Sequence, residues 1–170
     1  ITNLNWLGGS LMSDALGTTT TIPVGGTLNI SGATAKALSA YVGNGRTLLN
    51  NGTATWSGAG ITGYFGPQLV NNGTMTINGD FSYVWGGSGS GPYLINYTTL
   101  ILANGSDLSL SSVNYYNAPG AGIYFNTGSI TFTSCAGTNA GLLNLDAASF
   151  VNFDSGQLAS AAVIVWQVVD

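Results

Sequence analysis

The sequence lacks the side chains on which most enzymes depend. Its 170 residues contain no His and no Glu, so the commonest general base and the usual nitrogen ligand of metals are both missing. The acids are all Asp, they are far apart in the sequence, and Asp80 and Asp107 stand in ordinary turn contexts. A hydrolytic pair of carboxylates would need the fold to bring two of them together. We therefore expect no catalysis, no cofactor and no metal site.

Charge of either sign is scarce. Lys36 and Arg46 are the only bases, charged residues make up 5% of the chain, and the net charge is −4. Nucleic acids and anionic membranes are bound by clustered Lys and Arg, which this chain does not have. No apolar run is long enough to span a bilayer. The sequence thus predicts neither a nucleic-acid partner nor a membrane span.

Cysteine is nearly absent as well. Cys135 is alone, which rules out a disulfide within the chain and predicts a small buried thiol. A composition rich in Thr, Ser, Asn and Gly but poor in charge is typical of an exported protein, so we expect an extracellular or cell-surface location. The absence of a signal peptide at Ile1 fits a processed mature end or a fragment of a longer protein.

What the sequence does contain is a repeat. The nine residues 48–56, LLNNGTATW, return as residues 69–77, LVNNGTMTI. Weaker copies occupy residues 94–102 and 124–132. Within each copy apolar and polar residues alternate, which predicts a β-strand with one buried face.

This alternation predicts the direction of each side chain. Residues expected to point inward are Ala54, Trp56, Met75, Ile77, Leu100, Leu102, Ile130 and Phe132. Residues expected to point outward are Thr53, Thr55, Thr74, Thr76, Thr99, Ser129 and Thr131. If the strands stack in parallel, the Asn residues that precede them stack too, and their amides can hydrogen-bond from coil to coil. The predicted structural ladder is Asn50, Asn71, Asn96 and Asn126.

The spacing of these Asn residues, 21, 25 and 30 positions, corresponds to one turn of a broad solenoid. The sequence thus predicts an all-β fold, a right-handed parallel β-helix of about six to eight irregular coils. A β-sandwich or jelly roll is the alternative, because the spacing varies. We expect one domain over residues 1–170, with an N-terminal coil or cap at 1–19, repeat coils at 20–153 and a C-terminal cap or donated strand at 154–170. Residues 33–41 are the only window compatible with a helix, and the pattern does not favour one.

The C-terminal segment is an uncharged strand-forming run until its last residue. An open edge strand of this kind has to be covered. The chain could continue into more coils, the segment could cap its own core, or it could insert into a neighbouring subunit. The predicted assembly strand consists of Val163, Ile164, Val165, Trp166, Val168 and Val169.

Two surfaces suggest binding functions. Aromatic residues beside Gly-rich loops can stack on sugar rings, and the candidate glycan contacts are Tyr83, Trp85, Tyr115 and Tyr116; alternatively these residues simply cover coil edges. The outward Thr residues form a flat array that resembles the ice-binding faces of β-solenoid antifreeze proteins. The simpler interpretation is that Thr is favoured on solvent-facing strands.

The stretches Thr20 to Gly32 and Thr47 to Gly58 resemble the degenerate repeats of large secreted bacterial β-helix proteins, of the adhesin and autotransporter-passenger type. The resemblance covers residues 20–153 and implies a rod-like surface protein. It supplies no catalytic motif. We expect an extracellular structural or adhesive protein that assembles with itself into a filament or rod, with a glycan or cell surface as a candidate partner. Ice binding and carbohydrate binding are the alternatives.

Overall fold

The chain is a parallel β-solenoid of about six turns, as the repeats predicted. The computed structural model describes residues 1–13, 17–40, 45–160 and 164–166. Every regular element in these residues is a strand, and every strand pair is parallel. A β-sandwich or jelly roll is built from antiparallel pairs, so this alternative is wrong. The described residues contain no helix that could cross a membrane.

Twenty strands make up the described fold. They are β1 (Asn3–Trp6), β2 (Gly9–Ser13), β3 (Thr19–Ile22), β4 (Thr27–Ile30), β5 (Lys36–Ala40), β6 (Thr47–Asn50), β7 (Thr53–Trp56), β8 (Ile61–Tyr64), β9 (Gln68–Asn71), β10 (Thr74–Ile77), β11 (Phe81–Trp85), β12 (Tyr93–Asn96), β13 (Thr99–Leu102), β14 (Asp107–Ser111), β15 (Asn114–Asn117), β16 (Gly122–Phe125), β17 (Ser129–Asn139), β18 (Leu142–Leu145), β19 (Phe150–Ser160) and β20 (Ile164–Trp166).

Each complete coil contributes three strands, so the solenoid has three faces. Face A is the outer surface of an eight-stranded sheet ordered β1-β4-β7-β10-β13-β16-β18-β20. The other two faces belong to one 12-stranded sheet that folds back on itself at β17. Face B is formed by β2, β5, β8, β11, β14 and the first half of β17. Face C is formed by β3, β6, β9, β12, β15 and the second half of β17.

A left-handed residue other than glycine marks the corner between faces B and C in four of the coils. Phe65, Ser112, Ser134 and Ser155 have φ values of 62°, 54°, 52° and 62°. One such residue bends a strand sharply without a loop, which is why β17 can pair with β14 on one face and β15 on the next. The corners also stack, since the Ser134 and Ser155 hydroxyls lie 3.2 Å apart.

The core is a continuous apolar column inside the three faces. All eight residues expected to point inward are buried, and Trp56 packs there with its ring stacked on Phe81 at 5.8 Å. Cys135 is buried too, as predicted, and burial raises the pKa of its thiol. Because neighbouring coils are in register, each inward residue rests on its counterpart in the coil before it.

Candidate functional surfaces

A ladder of buried amides runs along the inside of the solenoid, as the sequence predicted in part. Asn50 donates to Asn71, Asn71 to Asn96 and Asn96 to Asn117, each at 2.8 Å, and Asn117 donates to Asn139 at 2.7 Å. All five are essentially inaccessible to solvent. Their amides also bond backbone groups, including Asn71 Nδ2 to the Thr99 carbonyl at 2.8 Å. These hydrogen bonds pair buried amide and carbonyl groups at the corner between faces C and A, where unpaired polar groups would destabilise the fold.

The prediction that Asn126 belongs to this ladder was wrong. Asn126 is exposed and follows β16, a strand of face A, whereas ladder residues end strands of face C. Residues 124–129, YFNTGS, resemble residues 48–53, LLNNGT, in sequence. They lie at the corner between faces A and B, whereas residues 48–53 lie at the corner between faces C and A. The true members, Asn117 and Asn139, follow Asn96 by 21 and 43 positions, so the ladder is more regular than the sequence repeats suggested.

Face A carries two parallel rows of small polar side chains. Asn3, Thr27, Thr53, Thr74 and Thr99 are aligned in one row by the strand register. The second row is Asn5, Asn29, Thr55 and Thr76, and it ends where Ile101 takes the next place. The rows hold hydrogen bonds of their own, from Thr27 Oγ1 to Asn3 Oδ1 at 2.8 Å and from Asn29 Nδ2 to Asn5 Oδ1 at 2.9 Å.

Two residues assigned to this Thr array lie elsewhere. Thr131 is in β17 and pairs with Ser109 of β14, so it belongs to face B. Ser129 is buried, and its hydroxyl donates to Asp107 Oδ1 at 2.6 Å. The fourth copy of the repeat was placed one face away from its true position, so the array consists of Thr53, Thr55, Thr74, Thr76 and Thr99 with the Asn and Thr residues of β1 and β4.

The four aromatic residues predicted to contact glycans do not form one site. Tyr83 is fully buried and Tyr115 nearly so, and both are core residues of inward-facing positions. Burial raises the pKa of both phenols well above the usual range for tyrosine. Trp85 is exposed on face B, whereas Tyr116 is half-buried on face C. The glycan assignment is therefore wrong for Tyr83 and Tyr115.

The structure instead brings other aromatic residues together on face C. Tyr93 and Tyr97 are exposed, and the Tyr97 ring meets the Tyr116 ring edge-on with centroids 6.0 Å apart. Sequence reasoning missed Tyr93 because it directly precedes the repeat copy at residues 94–102, and Tyr97 because it lies within that copy.

The acidic residues serve local structure. Asp80 Oδ1 accepts from the backbone N–H of Asp107 at 3.1 Å, and Asp146 accepts from the N–H of Thr127 at 2.6 Å. The Ser149 hydroxyl is the main cause that holds the pKa of Asp146 below its usual value. Within the described ranges no three metal-binding side chains come together.

Both bases are also used internally. Lys36 is buried, its ammonium donates to the Gly32 and Thr34 carbonyls at 3.0 and 3.1 Å, and burial lowers its pKa. Arg46 donates to the Met12 carbonyl at 2.6 Å.

The two ends of the solenoid are open. Within the described residues, β1, β2 and β3 each pair on one side only, as do β19 and β20. The predicted assembly strand is represented by Ile164–Trp166, which pairs in parallel with β18 of the same chain. Val163, Val168 and Val169 lie outside the described residues.

Apolar side chains are exposed at these ends. Phe153 occupies an inward position in register with buried Phe132, yet half of its surface is exposed because no described strand covers it. At the other end Ile1, Leu7 and Met12 are exposed by 67%, 62% and 57%.

Comparison of the chain with protein-family models, with curated proteins and with solved structures finds no match. The function of the chain therefore has to follow from its own surfaces.

Proposed function

We propose that the chain is a non-catalytic structural module of an extracellular rod or filament, of the kind found in adhesins, and that its coils stack end to end on those of a second copy. The observation that carries this proposal is the open pair of ends. Among the described residues, every strand of the first coil offers an unpaired edge, and so do β19 and β20 at the other end.

Parallel strand addition is the association that these ends favour. An unpaired edge with exposed apolar side chains is a template for another chain. A second solenoid would extend both the backbone ladders and the apolar column, covering Phe153 with the next coil. With only 5% charged residues, the ends carry little charge to repel such a partner.

End-to-end stacking predicts the length at which the filament repeats. Eight strands of face A at about 4.8 Å spacing span roughly 34 Å from the first to the last, and one more spacing to the next copy gives a filament repeat of roughly 38 Å. We expect wild-type protein to form filaments one solenoid wide at high concentration. Negative-stain electron microscopy with light scattering at two concentrations measures this directly.

A point variant can block one end without disturbing the chain's own pairing. The carbonyls of Thr2 and Trp6 accept hydrogen bonds from the N–H groups of Thr27 in β4 and of Ser31, which follows β4, so the backbone of Asn5, which alternates with them, faces the open edge. Asn5→Pro removes an edge N–H and should shorten or abolish filaments. Asn5→Ala is the matched control, because it removes the same side chain but keeps the N–H. Monomers at every wild-type concentration, or equal filaments from Asn5→Pro, would reject end-to-end stacking.

A second candidate function, ice binding, is favoured by the geometry of face A. Its two rows of Asn and Thr lie on a parallel sheet, about 6.8 Å apart along the strand and with about 4.8 Å between strands. The array is uncharged and its hydroxyls and methyls can hold ordered water. Thermal hysteresis of the monomer tests this function. Thr74→Lys in the middle of the array should abolish hysteresis, whereas Thr138→Lys on face C should not; no hysteresis in the wild type rejects the candidate.

A further inference from the structure

Face C carries a shallow groove late in the solenoid. The strand register sets two outward rows across β12, β15 and β17: Tyr93, Asn114 and Ala136 in one, and Ile95, Tyr116 and Thr138 in the other. These side chains line an open depression of about 390 Å³.

The groove exists because bulky side chains give way to small ones in successive coils. Tyr93 and Ile95 lie on β12 and Tyr116 lies on β15, whereas β17 has Ala136, Gly137 and Thr138. Gly137 has to be glycine, since a Cβ there would lie 2.1 Å from the Tyr115 carbonyl oxygen. The step from β15 to β17 therefore forms the wall and floor of the groove.

The aromatic rings of this surface are not covered, and two of them are in contact with each other. Tyr116 is half-buried and is fixed by its edge-on contact with Tyr97, with an interplanar angle of 71°. Tyr93 and Tyr97 are exposed by 37% and 49%. Exposed aromatic rings are suited to binding a ligand, because each offers a large contact area and has few rotatable bonds to restrict when it is covered.

We infer that this groove binds a neutral glycan chain. A pyranose ring presents C–H groups on its faces and hydroxyl groups at its edges, which matches a surface of aromatic rings beside neutral hydrogen-bonding groups. The Asn114 amide and the Thr138 hydroxyl supply these groups. No residue lining the groove is charged, so a charged glycan or an acidic or basic peptide would lose hydration without gaining an ionic partner.

This site does not depend on the proposed filament role. The groove is on a lateral face, and neither of the open ends contributes to it. A failure of end-to-end stacking would leave the glycan site intact, and the reverse also holds.

Titration calorimetry of the full chain with defined hexasaccharides tests the inference. The probes are cellohexaose, xylohexaose and mannohexaose, with hexagalacturonic acid as the charged comparison. We expect at least one neutral hexasaccharide to bind and the charged one not to bind. Tyr116→Ala should weaken binding about tenfold, which corresponds to about 1.4 kcal/mol for the loss of one stacked ring.

Two further variants keep the test decisive if Tyr116→Ala disturbs folding. Ala136→Arg fills the groove from an exposed position and should abolish binding without removing a ring. Tyr124→Ala removes an exposed tyrosine ring from face A and should leave the affinity unchanged. The inference is overturned if no neutral hexasaccharide binds, if Ala136→Arg binds like the wild type, or if Tyr124→Ala weakens binding as much as Tyr116→Ala.

Discussion

At the scale of single residues, the buried amides explain how a solenoid with few charges keeps its coils in register. Asn71, Asn96 and Asn117 each accept from the coil before and donate to the coil after, so a slip in strand register would leave several buried amides without partners. The repeats reveal Asn50, Asn71 and Asn96 because each is followed by an alternating apolar strand. Asn117 and Asn139 were missed because the sequences after them, APGAG and AGLLN, share little with the first copies.

Removing one central amide should therefore be costly. In Asn71→Ala, Asn50 loses an acceptor, and Asn96 and the Thr99 carbonyl lose a donor. We expect the free energy of unfolding to fall by about 2–4 kcal/mol. Asn72→Ala removes an exposed amide from the next position and should change it by less than about 0.5 kcal/mol. Urea denaturation of the two variants measures the difference, and equal midpoints would contradict the structural role of the ladder.

The two buried tyrosines predict a loss of stability at alkaline pH. Burial raises the pKa of Tyr83 and Tyr115 in the folded state, so the unfolded chain releases these protons first. Stability from this source is fully present below the ordinary tyrosine pKa of about 10 and falls as the pH rises above it. Tyr83→Phe should remain folded to higher pH than the wild type.

Tyr83→Phe should cost little at neutral pH, because the Tyr83 hydroxyl donates to no protein atom among the described residues. Urea midpoints at pH 8 and pH 11 give the pH dependence. Tyr97→Phe, which changes an exposed ring, serves as the control. A wild type and a Tyr83→Phe variant that lose stability equally between these pH values would show that Tyr83 does not contribute.

At the scale of elements, strands in which apolar and polar residues alternate can be predicted from the sequence. Strands that form because neighbouring strands pair with them cannot. Three recognised repeat copies each correspond to two consecutive strands, namely β6 and β7, β9 and β10, and β12 and β13. In contrast β5, with the sequence KALSA, has no intrinsic strand preference and was the one window compatible with a helix. It is a strand because β2 and β8 pair on either side of it.

The same limit applies to the candidate sites. Face A could be anticipated because its Thr residues alternate within single strands. The face C groove could not, since Tyr93, Tyr116 and Thr138 belong to three coils and become neighbours only through the strand register. β11 and β15 lie outside the recognised repeat copies, so the inward direction of Tyr83 and Tyr115 was not apparent from the sequence.

The corners between faces C and A depend on close backbone stacking. A Cβ on Gly73 would lie 2.1 Å from the Gly52 carbonyl oxygen, and a Cβ on Gly52 would lie 2.2 Å from that of Gly26. We expect Gly73→Ala to lower the free energy of unfolding by about 2–3 kcal/mol, because the backbone of two coils must move apart. Gly87→Ala is the control: its φ of +82° costs about 1 kcal/mol, but nothing lies within 4 Å of the new methyl. Thermal unfolding that ranks Gly87→Ala as the worse variant would contradict the stacking argument.

At the scale of the whole molecule, the solenoid is close to a one-dimensional object. In the part of the chain that the structure describes, the central coils pair with a coil on each side, whereas the first and last coils pair on one side only. The interior coils resemble one another, because each has few charged residues and contributes apolar side chains to the same continuous core. The two ends are then the least stable part of the chain and also the part best suited to association.

Hydrogen exchange measures both the low stability of the two ends and their association. In dilute solution we expect amide protection to be highest in β9 to β13 and lowest in β1 to β3 and in β19, because opening an end breaks one interface whereas opening the middle breaks two. At high concentration end-to-end stacking should raise protection at both ends and leave the centre unchanged. Association through face A or face C would instead leave the end strands as exchangeable as before, because those faces bond through side chains. Mass-spectrometric exchange at two concentrations, with Asn5→Pro as the variant that cannot stack at its first coil, therefore distinguishes a rod that grows from its ends from a module that binds through its sides.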